Sequence, residues 1–582
     1  MSFLPILSTM IMQKRWVQRI SYDNQLVEST SIALGIPSVY VPLFLDRGLN
    51  SSEKASQFCN PSLDQLLDPF LMKDMDKAVN RLVDALHGGQ KILVYGDYDV
   101  DGTTAVTVMF SFLKKMGAHC DYYIPDRYTE GYGFSFQSVE WAKENGVNLI
   151  ITLDCGVKDG AKIDVANSYG IDIIVCDHHN PGQLPNAFAV LDPKRIDCPY
   201  PYKGLSGCGV GFKLIQGFCK QMGLDFQLIE EYLDLLTISI GADIVPLTGE
   251  NRVLAYHGLQ RLKQVKRPGI RAMLNQAGFK RDELTISDVV FILAPRINAA
   301  GRILSGRDAV AILLSDTEEH ALELSVGIEE NNSYRKTLDK GITEEAKHII
   351  ESDPFYAHSY TTVVKNAGWH KGVVGIVASR LIEVYYKPTI VLTEVEGKLS
   401  GSARSIQNID LYELLGKCEH LLEQYGGHAM AAGLSLKPEN FEAFRAHFDQ
   451  LVAEVLHHQQ AVPVLEYDME LPFKVISKSL FNTINRLAPF GPENMKPVFR
   501  SSGCFDSGDT RIVGKEERHL KFALVQEEGE RKVEGIGFDM AHWEPHLKKG
   551  GKIDVLYTLE ENTYNGYTYL QMQIRDVKEH QH

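Results

Sequence analysis

The stretch Ile92-Leu-Val-Tyr-Gly-Asp-Tyr-Asp-Val-Asp-Gly102 decides the fold, because a short apolar run leads directly into three carboxylates at alternate positions. An apolar run of this length predicts a buried strand. Alternation is the period of an extended backbone, so we expect Asp97, Asp99 and Asp101 to crowd one side as the strand runs out. Carboxylates so close repel one another unless a divalent cation binds, and oxygen ligands select magnesium or manganese rather than zinc. The stretch therefore predicts a metal site and indicates hydrolysis.

Helices and strands alternate on both sides of this stretch. A helix is predicted over Met75–Leu86 and another over Thr103–Met116, which Thr103 or Thr104 could cap. Further predicted elements are the strand Asp121–Ile124, the strand Asn148–Leu153, the helix Ala161–Tyr169 and the strand Ile171–Cys176. This rhythm is typical of a parallel sheet with helices on both faces.

The rest of the chain divides into regions of different character. A mostly helical tract at about 212–350 precedes a second α/β unit, and short alternating strands after residue 463 predict a small barrel. The predicted fold is thus α/β, with two α/β domains, a helical connector and a C-terminal β-barrel. The predicted domains are a leader at 1–70, a first α/β domain at 71–265, the connector at 266–350, a second α/β domain at 351–462 and the barrel at 463–582.

Composition restricts the possible locations and partners. The nine cysteines are scattered without a Cys-x-x-Cys pair, which indicates reduced thiols in a cytosol and argues against a disulfide framework or a zinc ribbon. Met1–Met12 is a poor signal peptide, and nothing later approaches a membrane span, so we expect a cytoplasmic protein without membrane contact. The net charge of −15 is unusual for a nucleic-acid binder, but metal-ligating carboxylates contribute to it and a narrow basic track can coexist with it.

Two further predicted strands also end in potential ligands. Asp154 follows one, Asp177-His178-His179 follows another, and Asp243 follows the apolar run Leu235–Ile240. The carboxyl ends of parallel strands meet at one rim of a sheet, where ligands bind. A single Asp in such a place is usually a turn residue or a helix cap, and a lone His is usually structural. Three strand ends with only Asp and His instead favour a site for two metals.

These motifs resemble a known family. The segments at 95–102, 153–154, 177–179 and 241–246 resemble the four motifs of the DHH phosphoesterases. Pro295-Arg-Ile-Asn-Ala-Ala-Gly-Arg302 and Gly426-Gly-His-Ala-Met-Ala-Ala-Gly433 resemble signatures of the RecJ branch. The resemblance spans about residues 75–580. It implies a catalytic DHH domain, a DHH-associated substrate-binding domain and an OB-fold, and a two-metal exonuclease that degrades single-stranded DNA from the 5′ end in recombination and repair.

The resemblance also implies roles for the ligand residues. Many relatives place a His four residues before the Asp-x-Asp pair; here Tyr95 has that spacing and Asp97 replaces the His. Asp177 would orient its neighbours, and His179 would face the scissile phosphate, so that Asp154, Asp177 and His179 are the catalytic group. One Mn²⁺ or Mg²⁺ would bind Asp97, Asp99 and Asp154, and a second would bind Asp101, Asp154, His178 and Asp243. Two such ions can activate a bridging water and clamp the phosphate for in-line attack.

A 5′-phosphate site is implied by the same resemblance. Ser402, Arg404 and Arg127 match positions that bind the terminal phosphate in this branch. A guanidinium beside a hydroxyl is a good receptor for a doubly charged phosphate. Without the resemblance, Arg127 and Arg404 would be interpreted as ordinary surface charges.

Other segments are candidates for contact with the strand. Gly426, Gly427 and His428 suit a loop that brings N–H groups and an imidazole against phosphate. Arg296 and Asn298 would contact a nucleotide, with a structural salt bridge as the alternative for Arg296. In the barrel, the aromatic candidates for stacking are Phe490, Phe522 and Phe538, although each of them also suits a core.

Competing functions and partners follow from the same residues. We expect a monomer that acts on single-stranded DNA, with a single-strand-binding protein and a strand-supplying helicase as candidate partners. The alternatives are a DHH phosphodiesterase for short oligoribonucleotides or cyclic dinucleotides, and a scaffold that has lost catalysis. Gly207-Cys-Gly-Val-Gly211 is not a dinucleotide loop, because Phe212 stands where the third glycine belongs. No Walker phosphate loop occurs, so ATP-driven unwinding is not expected.

Overall fold

The computed structural model describes residues 14–126, 129–131, 133–281, 283–303, 306–529, 531–564 and 567–581, with the backbone alone at 300–303 and 563–564. These residues form two compact units. The catalytic unit joins Trp16–Arg267 with Phe279–Ala294 and Leu465–His582, and the second unit is built mainly from Pro268–Gly278 and Pro295–Val464. The tract at 266–350 contributes to both units, and the predicted domain boundaries stay predictions.

A parallel sheet of five strands, the catalytic sheet, is the centre of the catalytic unit. Its strands in spatial order are Cys120–Tyr123, Ile92–Gly96, Leu149–Leu153, Asp172–Cys176 and Ala189–Leu191. The predicted parallel sheet is confirmed. Strand order reverses between Ile92–Gly96 and Leu149–Leu153, and ligands bind at such a switch point in open α/β sheets.

Burial explains why these strands read as continuous apolar runs. Every residue of Ile92–Gly96 and of Leu149–Leu153 is buried, as is typical of a parallel sheet with both faces covered. The helices of this part of the unit are Met75–His87, Val100–Lys115, Phe136–Glu144, Gly160–Ser168, Gly207–Gln221, Leu233–Ala242 and Gly249–Gln264.

Two local expectations about the opening stretch are wrong. The strand ends at Gly96 and a helix begins at Val100, so Asp97, Asp99 and Asp101 do not continue an extended backbone. Asp99 caps that helix, because its carboxylate accepts a hydrogen bond from the Gly102 N–H at 3.0 Å. The hydroxyls of Thr103 and Thr104 instead donate to carbonyls one turn earlier in the same helix. Carboxylates at alternate positions thus belong to a strand-to-helix turn.

The second unit contains a mixed sheet of five strands. Their spatial order is Gln424–His428, Ala431–Leu436, Lys398–Arg404, Thr389–Val395 and Thr362–Lys365, with only the last pair parallel. The loop predicted at 426–428 is wrong: these residues form an edge strand, because Gly426 and Gly427 pair with Gly433 and Ala432. The helices are Pro268–Gln276, Ala294–Ile303, Gly306–Leu313, Glu318–Ser352, Val374–Tyr385, Leu411–Lys417 and Phe441–Val455.

The C-terminal part of the catalytic unit is a closed barrel, as predicted. Its strands are Met469–Glu470, Phe499–Asp506, Arg511–Val513, His519–Val525, Val533–Gly537, Ile553–Tyr564 and Tyr567–Glu579. The pairing of Phe505 with Val525 closes the ring of strands. Tyr40, Leu43 and Phe44 lie in the apolar core of the barrel, so the N-terminal region packs on it through the helices Asn24–Leu34, Val41–Leu45 and Ser52–Cys59. The sequence predicted no such role for the leader.

Among the described residues, no single helix is long and apolar enough to cross a membrane. The helices Asn24–Leu34 and Ser38–Leu45 pass that test only as a pair, which is bent by 106°.

Candidate metal centre and substrate-binding residues

The carboxyl edge of the catalytic sheet collects acidic residues from three strand ends. Asp97 directly follows Ile92–Gly96, Asp154 follows Leu149–Leu153, and Asp177 follows Asp172–Cys176. The first two strands are hydrogen-bonded neighbours at the switch point, with Gly96 paired to Leu153. This pairing explains why residues distant in sequence meet in one place.

The first ligand group consists of Asp97, Asp99 and Asp154. One carboxylate oxygen of each lies within 4.8 Å of those of the other two. Asp97 and Asp154 are almost completely buried, at 0% and 2% exposure. Three carboxylates so close, with so little contact to water, form a donor set for a hard divalent cation.

The second ligand group consists of Asp101, His178 and Asp243, whose donor atoms also lie within 4.8 Å of one another. His178 Nε2 is 3.5 Å from Asp243 Oδ2 and 3.1 Å from Asp154 Oδ1. Asp154 therefore contacts both groups. Asp243 arrives differently from the other acids, since it caps the C-terminus of the helix Leu233–Ala242.

Several donor atoms of this cluster have no hydrogen bond within the described part of the chain. They are Asp154 Oδ1, both ring nitrogens of His178 and Asp243 Oδ2, and all are buried. Buried polar atoms are normally hydrogen-bonded, and a bound cation is one explanation for exceptions that share a cluster. The donor set therefore fits a divalent metal, and two groups joined at Asp154 fit two ions.

The electrostatics of the cluster agree with this fit. Burial raises the pKa of Asp154 well above its usual value, and the charges of Asp101 and Asp99 raise it further. Burial also raises the pKa of Asp243 to about 9, again helped by Asp101 and Asp99, while the Lys194 ammonium opposes the rise. Burial lowers the pKa of His178 to about 4, so its imidazole is neutral and able to ligate near pH 7. Ionised carboxylates here need positive charge beside them.

Asp101 is held by groups that the sequence analysis did not predict. Its two oxygens accept the backbone N–H groups of Gly207 at 2.6 Å and Cys208 at 2.8 Å, and the Ser239 hydroxyl donates to Oδ1 at 2.7 Å. Gly207 and Cys208 begin the helix Gly207–Gln221, the Gly207 helix, whose N-terminus favours negative charge.

The same helix start requires glycine at its first position. A Cβ atom on Gly207 would lie 2.5 Å from the Cβ of Asp154, closer than packed atoms allow. The segment at 207–211, which is not a dinucleotide loop, therefore packs directly on the candidate metal centre. The signal that could have found it is Ser206, which precedes the glycines and caps the helix by accepting the Gly209 N–H.

Asp177 lies behind the cluster and contacts its two neighbouring histidines. Asp177 Oδ1 is 2.7 Å from His179 Nδ1 and accepts the backbone N–H groups of His178 and His179. Burial opposes ionisation of Asp177, but the His179 hydrogen bond and charge lower its pKa to about 2. For His179 the same bond outweighs burial and raises the imidazole pKa. The ring is therefore oriented, and its protonated form is favoured.

Ser402 and Arg404 meet at the start of a helix in the second unit. Arg404 Nη1 donates to Ser402 Oγ at 2.8 Å. A Cβ on Gly375 would lie 2.9 Å from Arg404 Nη2 and 3.1 Å from Ser402 Oγ, so both side chains lie over the first turn of Val374–Tyr385, the Val374 helix. A guanidinium, a hydroxyl and a helix N-terminus together suit a phosphate. Arg127, the third predicted member, lies outside the described residues.

The other residues that were predicted to contact the DNA strand differ in burial and in their partners. Arg296 is buried in the helix Ala294–Ile303 and pairs with Glu329 at 2.6 Å, so a salt bridge is present. Asn298 is half-buried on the same helix. Gly426, Gly427 and His428 are exposed on the edge strand of the mixed sheet.

The three aromatic residues of the barrel that were considered for base stacking differ in how deeply they are buried. Phe522 is fully buried in the barrel core, so a stacking role for it is wrong. Phe490 is partly buried against that core. Phe538 is 55% exposed and packs edge-on against His519, with ring centroids 5.1 Å apart. Of the three, Phe538 has the surface that base stacking requires.

The fold and the site define the class to which the protein belongs, the DHH phosphoesterases. The family model for the N-terminal domain of the DHH family matches residues 91–240, the DHHA1 domain matches 355–454, and the RecJ OB domain matches 467–576. The single-stranded-DNA-specific exonuclease RecJ of Bacillus subtilis is 36% identical over 97% of this chain and 70% of its own length. RecJ of Escherichia coli is 33% identical over 96% of this chain and 99% of its own length. The chain belongs to the RecJ family.

A solved structure supports the same relationship. The crystal structure of RecJ from Thermus thermophilus in complex with Mn²⁺ matches with a TM-score of 0.82 and 28% identity, over 98% of this chain and 80% of that one. The agreement over nearly the whole chain extends to the barrel, which is the OB-fold that the sequence predicted.

Proposed function

We propose that this chain is a metal-dependent exonuclease that hydrolyses the phosphodiester bonds of single-stranded DNA from the 5′ end, releasing 5′-phosphomononucleotides in recombination and repair. The observation that carries the proposal is the pair of ligand groups joined at Asp154, at the switch point of the catalytic sheet. Membership of a family whose named relatives are single-stranded-DNA-specific exonucleases supports the substrate. The OB-fold supports it too, because such barrels bind single strands.

The metals proposed for the centre are two Mn²⁺ or Mg²⁺ ions. Crystal structures of the Thermus thermophilus relative contain Mn²⁺ in one case and Mg²⁺ in another. The first ion would bind Asp97, Asp99 and Asp154, and the second would bind Asp101, Asp154, His178 and Asp243. When bound, the ions supply an acidified water for in-line attack and neutralise charge on the phosphate.

The chain's own groups then orient and stabilise the reacting phosphate. Asp177 holds the His179 ring and favours its protonated form, which would stabilise the negative charge that develops during attack. The start of the Gly207 helix and Ser239 fix both oxygens of Asp101, so this ligand does not need to reorient when a metal binds. We assign catalysis to Asp154, Asp177 and His179.

The preference for cleavage from the 5′ end would come from the second unit. Ser402, Arg404 and the start of the Val374 helix would bind the terminal 5′-phosphate together with Arg127. Arg296 and Asn298 would contact the strand, as would the exposed edge at Gly426, Gly427 and His428. A receptor for a doubly charged end group distinguishes a 5′-phosphate from an internal phosphodiester.

We further propose that the protein is a monomer in the cytoplasm. A single-strand-binding protein and a helicase that supplies the unwound strand are the proposed partners. The proposed domains are those predicted from the sequence: the leader at 1–70, the catalytic domain at 71–265, the connector at 266–350, the substrate-binding domain at 351–462 and the OB-fold at 463–582.

The test uses DNA with one labelled end and either the 5′ or the 3′ end blocked. With Mn²⁺ or Mg²⁺ we expect mononucleotides from single strands, a block by 5′ modification only, and no products in the presence of a chelator. Degradation of duplex as fast as single strand, or from the 3′ end, would contradict the proposal. Preferential cleavage of a cyclic dinucleotide or a short oligoribonucleotide would favour the alternative phosphodiesterase.

A further inference from the structure

A pocket of about 370 Å³ borders the metal centre within the catalytic unit. Its wall includes Leu205 and Val245. Leu205 comes two residues before Gly207, whose N–H binds Asp101, and Val245 comes two residues after Asp243. The pocket is therefore formed in part by the turn that carries the ligand Asp243 and by the turn whose Gly207 N–H holds the ligand Asp101.

Hydrogen bonds between its loops form this pocket in advance of any ligand. The Tyr202 hydroxyl donates to the Pro246 carbonyl at 3.0 Å, and Asn251 Nδ2 donates to the carbonyls of Gly204 at 2.5 Å and Pro246 at 3.0 Å. Ile244, in the turn that carries Asp243, holds a φ of +57°, which a β-branched residue rarely adopts. Bonded loops can hold such a strained turn, and a pre-formed site binds without the entropic penalty of ordering.

The chemistry of the wall fits a nucleotide. Lys194 and Lys203 contribute ammonium groups, and Lys203 Nζ already donates to the Cys198 carbonyl at 2.8 Å. Lys194 is half-buried, and its charge acts on Asp243. Tyr202 and Val245 offer apolar surface for a sugar or base, and a pocket of this volume is typical of small-ligand sites.

The remaining polar wall restricts where a phosphate can bind. Glu493, an exposed acidic residue, also lines the pocket. Its carboxylate repels a phosphate but can accept hydrogen bonds from a base amine. The phosphate is therefore directed to Lys194, the pocket cation whose field reaches the metal centre.

The position of the pocket indicates which nucleotide it takes. Glu493 belongs to the segment that leads into the barrel. This segment is bonded to the Asp243 turn, because the Leu247 N–H donates to the Pro492 carbonyl at 2.8 Å. In cleavage from the 5′ end, the retained strand lies on the 3′ side of the scissile bond. That strand would run from the metal centre to the OB-fold, and the pocket is lined both by the turn that follows Asp243 and by Glu493 of the segment that leads into the barrel.

We propose that this pocket binds the nucleotide on the 3′ side of the scissile phosphodiester, with Lys194 paired to the next phosphate along the retained strand. Lys194 is then a specificity residue that recognises the phosphate on the 3′ side of the scissile one. This inference rests on the proposed exonuclease activity and deepens it.

The test is a cycle that combines a variant of Lys194 with an uncharged linkage. Two 5′-labelled, 5′-phosphorylated single strands are compared: one with phosphates throughout, and one with a methylphosphonate between the second and third nucleotides. Release of the first nucleotide is measured at saturating Mn²⁺. For the wild type we expect kcat/KM to fall about tenfold on the uncharged linkage. For Lys194→Gln we expect a low value on the charged strand and less than a twofold further change.

Two variants keep the test decisive. Lys194→Arg retains the charge, so it should recover most of the discrimination. Lys220→Gln removes a lysine of the same domain that pairs with Asp68, lines no part of this pocket and should discriminate as the wild type does. Full discrimination by Lys194→Gln would overturn the inference while leaving the exonuclease activity intact. Failure of the wild type to release any nucleotide from either strand would instead refute the proposed function.

Discussion

Two helix starts in this protein face side chains of opposite charge. The Gly207 helix, in the catalytic unit, directs its first N–H groups at the Asp101 carboxylate. The Val374 helix, in the second unit, begins beneath Ser402 and Arg404. Both starts favour negative charge, because unpaired N–H groups and the helix dipole act together. In the first case the chain supplies the anion itself, and in the second it adds a cation and a hydroxyl.

The difference teaches that the same backbone device serves two purposes. At the Gly207 helix it holds the Asp101 carboxylate among other carboxylates, a donor set that fits a cation. At the Val374 helix it lies beside an arginine and a hydroxyl, a combination that suits an anion. The side chains at nearby strand ends decide the sign, because the helix contribution is the same in both places.

Removal of Asp154 should break the cation receptor with the largest effect. Asp154→Ala keeps the Cβ that packs on Gly207 but deletes the carboxylate that contacts both ligand groups. We expect Mn²⁺-dependent hydrolysis of single-stranded DNA to fall by about 10³-fold or more, while strand binding persists. Nucleotide release and fluorescence anisotropy measure the two properties.

A matched control for this variant lies at the opposite edge of the catalytic sheet. Asp172 begins the strand that Asp177 follows, and it pairs with Arg81 at 2.7 Å. Asp172→Ala should leave hydrolysis within a few-fold of the wild type. Hydrolysis retained in Asp154→Ala would show that the two groups do not share a ligand there.

Removal of Arg404 should break the anion receptor with a smaller effect. A hydrogen-bonded charge is worth about 1.5–3 kcal/mol, so Arg404→Ala should lower the preference for 5′-phosphorylated over 5′-hydroxyl ends by about 10- to 100-fold. The ratio of kcat/KM for the two ends is the measurement. Lys398→Ala, at the exposed start of the same strand, is the control and should keep the preference. An unchanged preference in Arg404→Ala would place the end-group receptor elsewhere.

Loss of the Ser239 hydroxyl should sharpen the comparison with the smallest effect. Ser239→Ala removes one of the three hydrogen bonds that the described residues make to the Asp101 carboxylate and leaves the helix start in place. Partners that orient a metal ligand are worth about 10- to 100-fold in affinity, and with two bonds remaining we expect about tenfold weaker Mn²⁺ binding by calorimetry. Thr237→Val, which removes a buried hydroxyl bonded to Leu233 on the same helix, should bind Mn²⁺ normally. Equal affinities in the two variants would mean that the helix start alone holds Asp101.

The strand ends of the catalytic sheet could be predicted, because parallel strands leave a clear pattern. Buried runs followed by Asp154 and by Asp177-His178-His179 place polar groups at one rim whatever the details of the turns. The conformation of the opening stretch could not be predicted from its alternation. A helix begins at Val100, and a helical first turn and an extended segment both bring side chains two residues apart into one region.

Other features depend on contacts that no local pattern contains. The hydrogen bonds from Gly207 and Ser239 to Asp101 join residues more than a hundred positions apart. Packing of Tyr40 and Phe44 into the barrel core joins the two ends of the chain. The edge strand at Gly426 and Gly427 resembles a loop in sequence, since glycine has little preference for strands, and the pairing with Ala431–Leu436 decides its conformation.

By itself, the sequence determined the kind of chemistry: carboxylates and histidines after buried strands mean hard cations at one rim of a parallel sheet. The division of those residues into two groups that share Asp154 was implied by the resemblance to a known family, and the structure brings their donor atoms together in the same groups. Only the tertiary structure decided which helix start holds Asp101 and that a pocket with Lys194 lies nearby. The physical reason is range. Strand periodicity and residue type act over a few positions, whereas donor geometry at the metal centre depends on distances between segments that only packing brings together.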